Sequence, residues 1–279
     1  MTGWQQKFET QLRQALACAP MPPATSEKIK CRSVFMSDIH LGTPFCQAES
    51  LLEFLSHLRT DNLYLVGDVY DGWALAREWY WPESHQRVIE AFLQLKRAGV
   101  NVVYVTGNHD EASRAYTGKN FGDVPVVDTV VHITATGQRM LVLHGDQFDD
   151  VVTHAKWLAH VGDVAYAISM MINQGFNAVR RVCGLPYWSL SAFMKKMVKR
   201  LVKIISGYRA RVVAAAAAHN ASMVVCGHVH DAMCQRMGSV TYYNDGDWVE
   251  SCTALVEWEN GQFELIDWRK HKSRLLQSV

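Results

Sequence analysis

Asp38 and His40 stand two residues apart, just after the apolar run Val34-Phe35-Met36. Asp68 follows Leu63-Tyr64-Leu65-Val66 across Gly67, and Asn108, His109 and Asp110 follow Val102-Val103-Tyr104-Val105 across Thr106-Gly107. His144 follows Met140-Leu141-Val142-Leu143, and His228 and His230 follow Met223-Val224-Val225-Cys226 across Gly227. Carboxylate, amide and imidazole are donors for divalent cations of intermediate hardness. Asp-x-His offers one oxygen and one nitrogen to the same ion, and the two oxygens of Asp68 can bridge a pair. Asp38, His40, Asp68, Asn108, His144, His228 and His230 therefore suffice for two ions sharing one bridge, with positions left for water. Such sites hold their ions ~3.5–4 Å apart and clamp the attacking and leaving oxygens of an in-line displacement.

The donor set suits Mn²⁺ first, then Fe or Zn²⁺, because no thiolate enters it. His109 stands beside a ligand but outside the set, where an imidazole can donate to a phosphoryl oxygen or protonate a leaving group. Asp110 is placed to fix that ring through its other nitrogen, as carboxylates behind a site do. His109 and Asp110 are thus the expected catalytic residues. The reaction this chemistry suits is attack of metal-bound hydroxide on phosphorus.

Each motif alone has a bland reading. A single His at a strand end is usually a satisfied structural residue, and Gly-Asp after a strand is a common turn. The ordered set of five is what carries weight. Trp73, Arg114, Lys119 and Trp248 lie near motif ends and within reach of a substrate, although such residues are more often structural or solvated.

The apolar runs read as buried strands, and their ligand turns stand where open α/β sheets bind ligands, at the carboxyl ends of strands. Leu51, Leu52, Phe54, Leu55 and Leu58 recur at helical spacing, as do Val88, Ile89, Phe92, Leu93 and Leu95 before Gly99. Strand, helix, strand, helix, strand predicts a largely parallel sheet. Val124 to Ile133 and Arg139 to Leu143 read as strands around a Thr-Gly turn, and Val240 to Tyr243, Ala254 to Trp258 and Phe263 to Trp268 as closing strands. Asn260-Gly261 signals a hairpin between the last two. The later strands are expected to form a mixed second sheet. Residues 1–30 read as an arm carrying a helix over Trp4 to Ala17, 31–150 and 221–279 as the two parts of the core, and 151–220 as a helical cap. In the cap, Lys195, Lys196, Lys199, Arg200 and Lys203 oppose an apolar face, a pattern that suits an anionic membrane surface or a solvated lid.

A chain of 279 residues with 49% apolar residues can bury a sizeable core. Its net charge of +1 gives no overall footprint for nucleic acid. Seven cysteines without a C-x-x-C pair argue against a disulfide framework and a zinc knuckle. Neither a secretory signal nor a membrane span is expected. A cytoplasmic location follows, with peripheral contact at the inner face of the membrane if the cap meets lipid.

The ordered set Asp38-Ile39-His40, Gly67-Asp68, Gly107-Asn108-His109-Asp110, His144 and Gly227-His228-Val229-His230 resembles the calcineurin-like metallophosphoesterases over about residues 33–270. The resemblance implies a four-layer α/β/β/α sandwich with a helical cap insertion. It also implies a dinuclear site, with Asp38, His40, Asp68 and His230 on one ion and Asp68, Asn108, His144 and His228 on the other. His109 would contact the phosphate. Gly67-Asp68-Val69-Tyr70-Asp71-Gly72-Trp73 and His144-Gly145-Asp146 are similar to the UDP-2,3-diacylglucosamine pyrophosphatases of lipid A synthesis, which release UMP and lipid X. That branch usually carries Arg where this chain has His109, so a paralogue acting on another, soluble phosphoester is the alternative. A non-catalytic scaffold is the alternative of another class, against which the complete ligand set argues.

Overall fold

The computed structural model describes residues 2–17, 29–121, 123–148 and 207–277. Strand β1 (Ile29–Met36) shows why the apolar runs form buried strands. Val34 and Met36 point to a core shared with helices, and Phe35 points to a second core between two sheets. With both faces covered, the alternation of apolar and polar residues disappears. The same holds for β2 (Leu58–Val66) and β3 (Asn101–Val105), where Leu63 and Val102 face the helices and Tyr64 and Val103 the other sheet.

The remaining elements are helices α1 (Gly3–Ala17), α2 (Ala48–His57), α3 (Gly72–Arg77) and α4 (Glu83–Arg97), strands β4 (Asn120–Phe121), β5 (Val124–Val127), β6 (Thr129–Ile133) and β7 (Arg139–Leu143), helix α5 over 207–218, strands β8 (Met223–Cys226), β9 (Met233–Met237), β10 (Val240–Asn244), β11 (Thr253–Glu257) and β12 (Phe263–Asp267), and helix α6 (Trp268–Gln277). The first sheet has the order β12-β11-β1-β2-β3-β5-β4, and the second β6-β7-β8-β10-β9. Strands β1, β2, β3 and β5 run parallel, as do β7, β8 and β10. Phe35, Tyr64, Val105, Met140, Val225 and Tyr243 fill the space between the sheets. The chain divides into two compact units, residues 1–146 with 213–279, and residues 147–212. The cap expected over 151–220, with its basic face, falls for the most part outside the described residues. No described helix is long and apolar enough to cross a membrane.

Four expectations change. The closing hairpin β11–β12 joins the first sheet beside β1, not the second. Strand β11 is buried at every residue, with Ala254 and Val256 toward the helices and Leu255 toward the second sheet, so it needs an interior position. The stretch Val124 to Ile133 is two strands, and Asp128 between them carries the chain from one sheet to the other. Leu58 is not inside the helix but caps its end, and its extended backbone opens β2 opposite Ile29. Trp268 begins α6 rather than closing β12.

A buried polar cluster joins the sheets away from the ligand turns. Glu257 on β11 accepts from Ser33 at 2.7 Å and from the Ala135 N–H at 2.6 Å, and lies 2.7 Å from His132 Nε2 on β6. Burial pushes this carboxyl up, but His132, Ala135 and Ser33 outweigh it and hold it below the ordinary value. A depressed carboxyl contributes stability that is present above its unfolded pKa and is lost as pH falls through its folded value. Glu257→Ala should therefore cost on the order of 3 kcal/mol at neutral pH, because it strands two buried donors, Ser33 and His132, along with the Ala135 N–H. Denaturant titrations should show that difference shrinking as the solution is acidified below the carboxylate range. An unchanged midpoint at neutral pH would refute the clamp.

Candidate metal centre

Three of the five ligand turns leave their strands through a backbone conformation that side chains avoid. Among the described residues, seven that are not glycine have positive φ, and five of them are Asp38, His40, Asp68, His228 and His230. Such residues cost of order 1–3 kcal/mol each and persist where the surroundings over-determine them. Here the turns hold one another. Ile39 and His40 donate their N–H groups to the Asp68 carbonyl at 3.0 and 2.9 Å, Asp38 donates to Gly67 at 3.1 Å, and Gly227 donates to His144 at 3.2 Å.

The structure gathers the predicted ligands into two groups. Asp38, His40 and His230 form one, and Asp68, His144 and His228 the other, with the donor atoms in each within 4.8 Å of one another. His230 Nε2 lies 2.8 Å from Asp38 Oδ1. Asp68 Oδ2 stands between the groups, 3.8 Å from His40 Nε2 and 3.3 Å from His144 Nε2, where one oxygen can serve both. Asn108 sits between Gly107, which abuts Asp68, and His109, whose N–H donates to Asp68 Oδ1 at 2.8 Å.

The outward atoms of Asp38, His40, Asp68 and His144 are occupied. Asp38 Oδ2 accepts from Ser37 Oγ at 2.5 Å and from the His228 N–H at 2.8 Å. His144 Nδ1 lies 2.8 Å from the Val66 carbonyl, so it carries a proton there, and Nε2 is the nitrogen that would give up its proton to a cation. The inward atoms His40 Nε2, Asn108 Oδ1 and His144 Nε2 are buried without a hydrogen-bond partner, and Asp38 Oδ1 meets only the His230 ring. Buried polar atoms are nearly always partnered, and such atoms converging on one place fit bound cations.

Charge points the same way. Six aspartates are buried among the described residues, and Asp38, Asp68 and Asp71 belong to the cluster. Burial pushes His40 and His144 down, but the carboxylates, Asp38 and Asp71 for His40 and Asp68 for His144, outweigh it and bring both up to about 10. Burial likewise pushes Asp38 and Asp68 up, yet His230 and His144 respectively hold them well below the ordinary value. The cluster is built to be neutralised by positive charge.

Sequence reasoning gave no role to Asp71. Its Oδ2 lies 3.2 Å from His40 Nδ1 and 2.9 Å from His109 Nδ1, and its Oδ1 caps α3 by accepting from the Ala74 N–H at 2.8 Å. One carboxylate thus positions a ligand ring and the His109 ring together. The available signal was the Asp68-x-x-Asp71 spacing within the turn. Asp110, expected to fix His109, does something else. It accepts from the N–H groups of Gly107 at 2.6 Å and Val69 at 2.9 Å and from the Tyr104 hydroxyl at 2.5 Å, bracing two ligand turns from behind. Burial, with Asp68 adding to it, raises Asp110 to about 6.

The substrate candidates divide. Trp73 is 43% exposed and lies against the His109 ring, with centroids 4.2 Å apart. Arg114 pairs with Asp146 and reaches the Gly107 carbonyl at 3.4 Å. Lys119 is exposed on the loop after β3. Trp248 is fully buried against Phe54 and its backbone N–H donates to Asp38 at 3.0 Å, so it supports a ligand turn and touches no substrate.

A family model for calcineurin-like phosphoesterases matches residues 31–232. A UDP-2,3-diacylglucosamine hydrolase of Chromohalobacter salexigens is 31% identical over 123 residues, 41% of this chain and 46% of that protein. The enzyme of the same name from Aeromonas salmonicida is 30% identical over 140 residues, 45% of this chain and 53% of that one. The chain thus spans about half the length of the curated relatives it matches. A hypothetical protein from Pyrococcus horikoshii is similar in structure at 11% identity, with a TM-score of 0.46 over 88% of this chain and 92% of that one.

Proposed function

The chain belongs to the calcineurin-like phosphoesterases, and from that premise we propose that it hydrolyses a phosphoester or pyrophosphate at a pair of divalent cations. The observation that carries this is the Asp68 carboxylate between two groups of donors, beside inward atoms of His40, Asn108 and His144 that lack hydrogen-bond partners. Family membership implies divalent metal ions, and we propose Mn²⁺, because the donors are carboxylate, amide and imidazole without thiolate. Asp38, His40, Asp68 and His230 would hold one ion, and Asp68, Asn108, His144 and His228 the other. Such a pair, when bound, lowers the pKa of water and neutralises charge developing on phosphoryl oxygens.

The chain's own groups do the rest. Asp71 Oδ2 lies 2.9 Å from His109 Nδ1, and the imidazolium so paired would carry a second N–H, at Nε2, to give to a phosphoryl or leaving oxygen. Trp73 walls that side of the site against water. Asp71→Asn should weaken the hold on both rings and lower metal affinity or turnover roughly 10–100-fold. Calorimetric Mn²⁺ titration beside a rate assay would check this, and unchanged values in both would remove Asp71 from the site.

For substrate we propose a nucleotide-linked acylated sugar, UDP-2,3-diacylglucosamine or a relative of it, at the inner face of the membrane. Support comes from the names of the curated relatives and from the run of basic residues between Lys195 and Lys203 in the sequence. The second reading, a soluble phosphoester, draws support from His109 and its Asp71 partner. Rates on UDP-2,3-diacylglucosamine and on its deacylated counterpart, measured after Mn²⁺ loading, test the choice. Faster turnover of the acylated compound supports the lipid; equal turnover rejects it.

A further inference from the structure

The geometry points to a second binding site, an alkyl-chain cavity beneath α1 that opens toward the metal centre. The cavity measures about 380 Å³. Trp4, Phe8 and Leu12 of α1 form its roof, and Leu65, Val102 and Val126 on the helix-facing side of the first sheet form its floor. Protein interiors are otherwise packed like organic crystals, and this volume lies within the range of about 300–1,000 Å³ typical of ligand sites.

Its chemistry selects the occupant. The polar groups around it are already engaged: the Tyr70 hydroxyl with Ser113 at 2.9 Å, Tyr104 with Asp110 at 2.5 Å, Gln5 with the Thr2 N–H at 2.7 Å, and Glu9 with Arg13 at 2.6 Å. The walls are predominantly apolar, with Gln5, Glu9 and Tyr116 the remaining polar side chains on them. Water needs two to four polar partners and shuns such a space. An alkyl chain needs only apolar walls.

Its position adds the direction. Trp4 and Ala112 line this cavity and also line the pocket formed by Gly72, Trp73 and His109. A molecule with its phosphoester at His109 could therefore pass a chain by Trp4 into the space under α1. This part rests on the phosphoesterase reading; the cavity itself does not. The same chain chemistry could come from a detached fatty acid, and the test separates the two.

Fluorescence of dansyl-labelled undecanoate would report occupancy in the full chain, with displacement by lysophosphatidate or by laurate. Wild type should enhance the signal, and both lipids should reverse it. Mn²⁺ should tighten lysophosphatidate and leave laurate unchanged, because only the former brings a phosphate to the metal centre. Leu12→Trp, and the milder Leu12→Phe, reduce the cavity from the roof and should weaken probe binding roughly tenfold for the larger residue. Hydrolysis of bis(p-nitrophenyl) phosphate should stay the same in both variants. No enhancement in wild type, or equal binding in both variants, overturns the site. Displacement by laurate alone overturns its link to the substrate. Probe binding without hydrolysis of the soluble ester would sink the phosphoesterase reading and leave the cavity standing; hydrolysis without probe binding would do the reverse.

Discussion

Asp68→Ala should abolish turnover, with kcat on bis(p-nitrophenyl) phosphate falling by at least about 10³-fold, on the order of 4 kcal/mol of barrier. Asp68 is the one carboxylate placed between both donor groups, so its removal takes a ligand from each proposed ion at once. No neighbour can substitute. Asp38 faces His230 at 2.8 Å, and Asp110 is bound on both oxygens by Gly107, Val69 and Tyr104. Two further readouts separate lost chemistry from lost structure. Elemental analysis after Mn²⁺ loading should find fewer ions per chain in the variant. Ligand that binds only the folded state stabilises it by about 2.7 kcal/mol at a hundred times its Kd, so Mn²⁺ should raise the melting temperature of wild type and not of Asp68→Ala. A variant that keeps its ions and its rate would leave the bridge without a role and would revive the scaffold reading.

The five ligand turns were legible because each follows a run too apolar for a half-exposed strand, and because aspartate and histidine are unusual there. Which sheet a strand joins was less legible. Neighbours in sequence announce their pairing, as Asn260-Gly261 did for β11 and β12, but the pairing of Val34 with Val256 spans almost the whole chain and leaves no local mark. Asp71 escaped for a related reason. It sits past the strand end as the cap of α3, a common place for aspartate, and only the folded chain shows its other oxygen against two imidazoles. Trp248 erred the other way. A tryptophan near a motif suggests a substrate wall, and the burial that makes it a support for Asp38 comes from helix α2 far back in the sequence.

The glycines beside the ligands show how the remaining information is stored, and they carry the second large effect. A Cβ on Gly107 would collide with the Asp68 carboxylate, and one on Gly227 with Ser37 Oγ and the Asp38 carboxylate. Neither glycine has positive φ, so alanine meets no backbone objection at either position. The collision alone acts, and it acts on ligands that are 0–1% exposed and held in place by hydrogen bonds. Gly67 is different: its Cβ would strike the His144 ring, and its φ of +82° adds strain. Gly107→Ala and Gly227→Ala should therefore lower turnover by at least about 10²-fold, in line with what small misplacements cost, and stability by about 1–3 kcal/mol, the usual cost of overpacking. Gly207→Ala, with nothing within 4 Å among the described residues, is the matched control and should be neutral in both. Mn²⁺ affinity decides the interpretation, because moving Asp38 or Asp68 must weaken the ions even where the fold survives. Wild-type affinity and rate in Gly227→Ala would show that the Asp38 side of the cluster is not held to the tolerance the strained backbone implies.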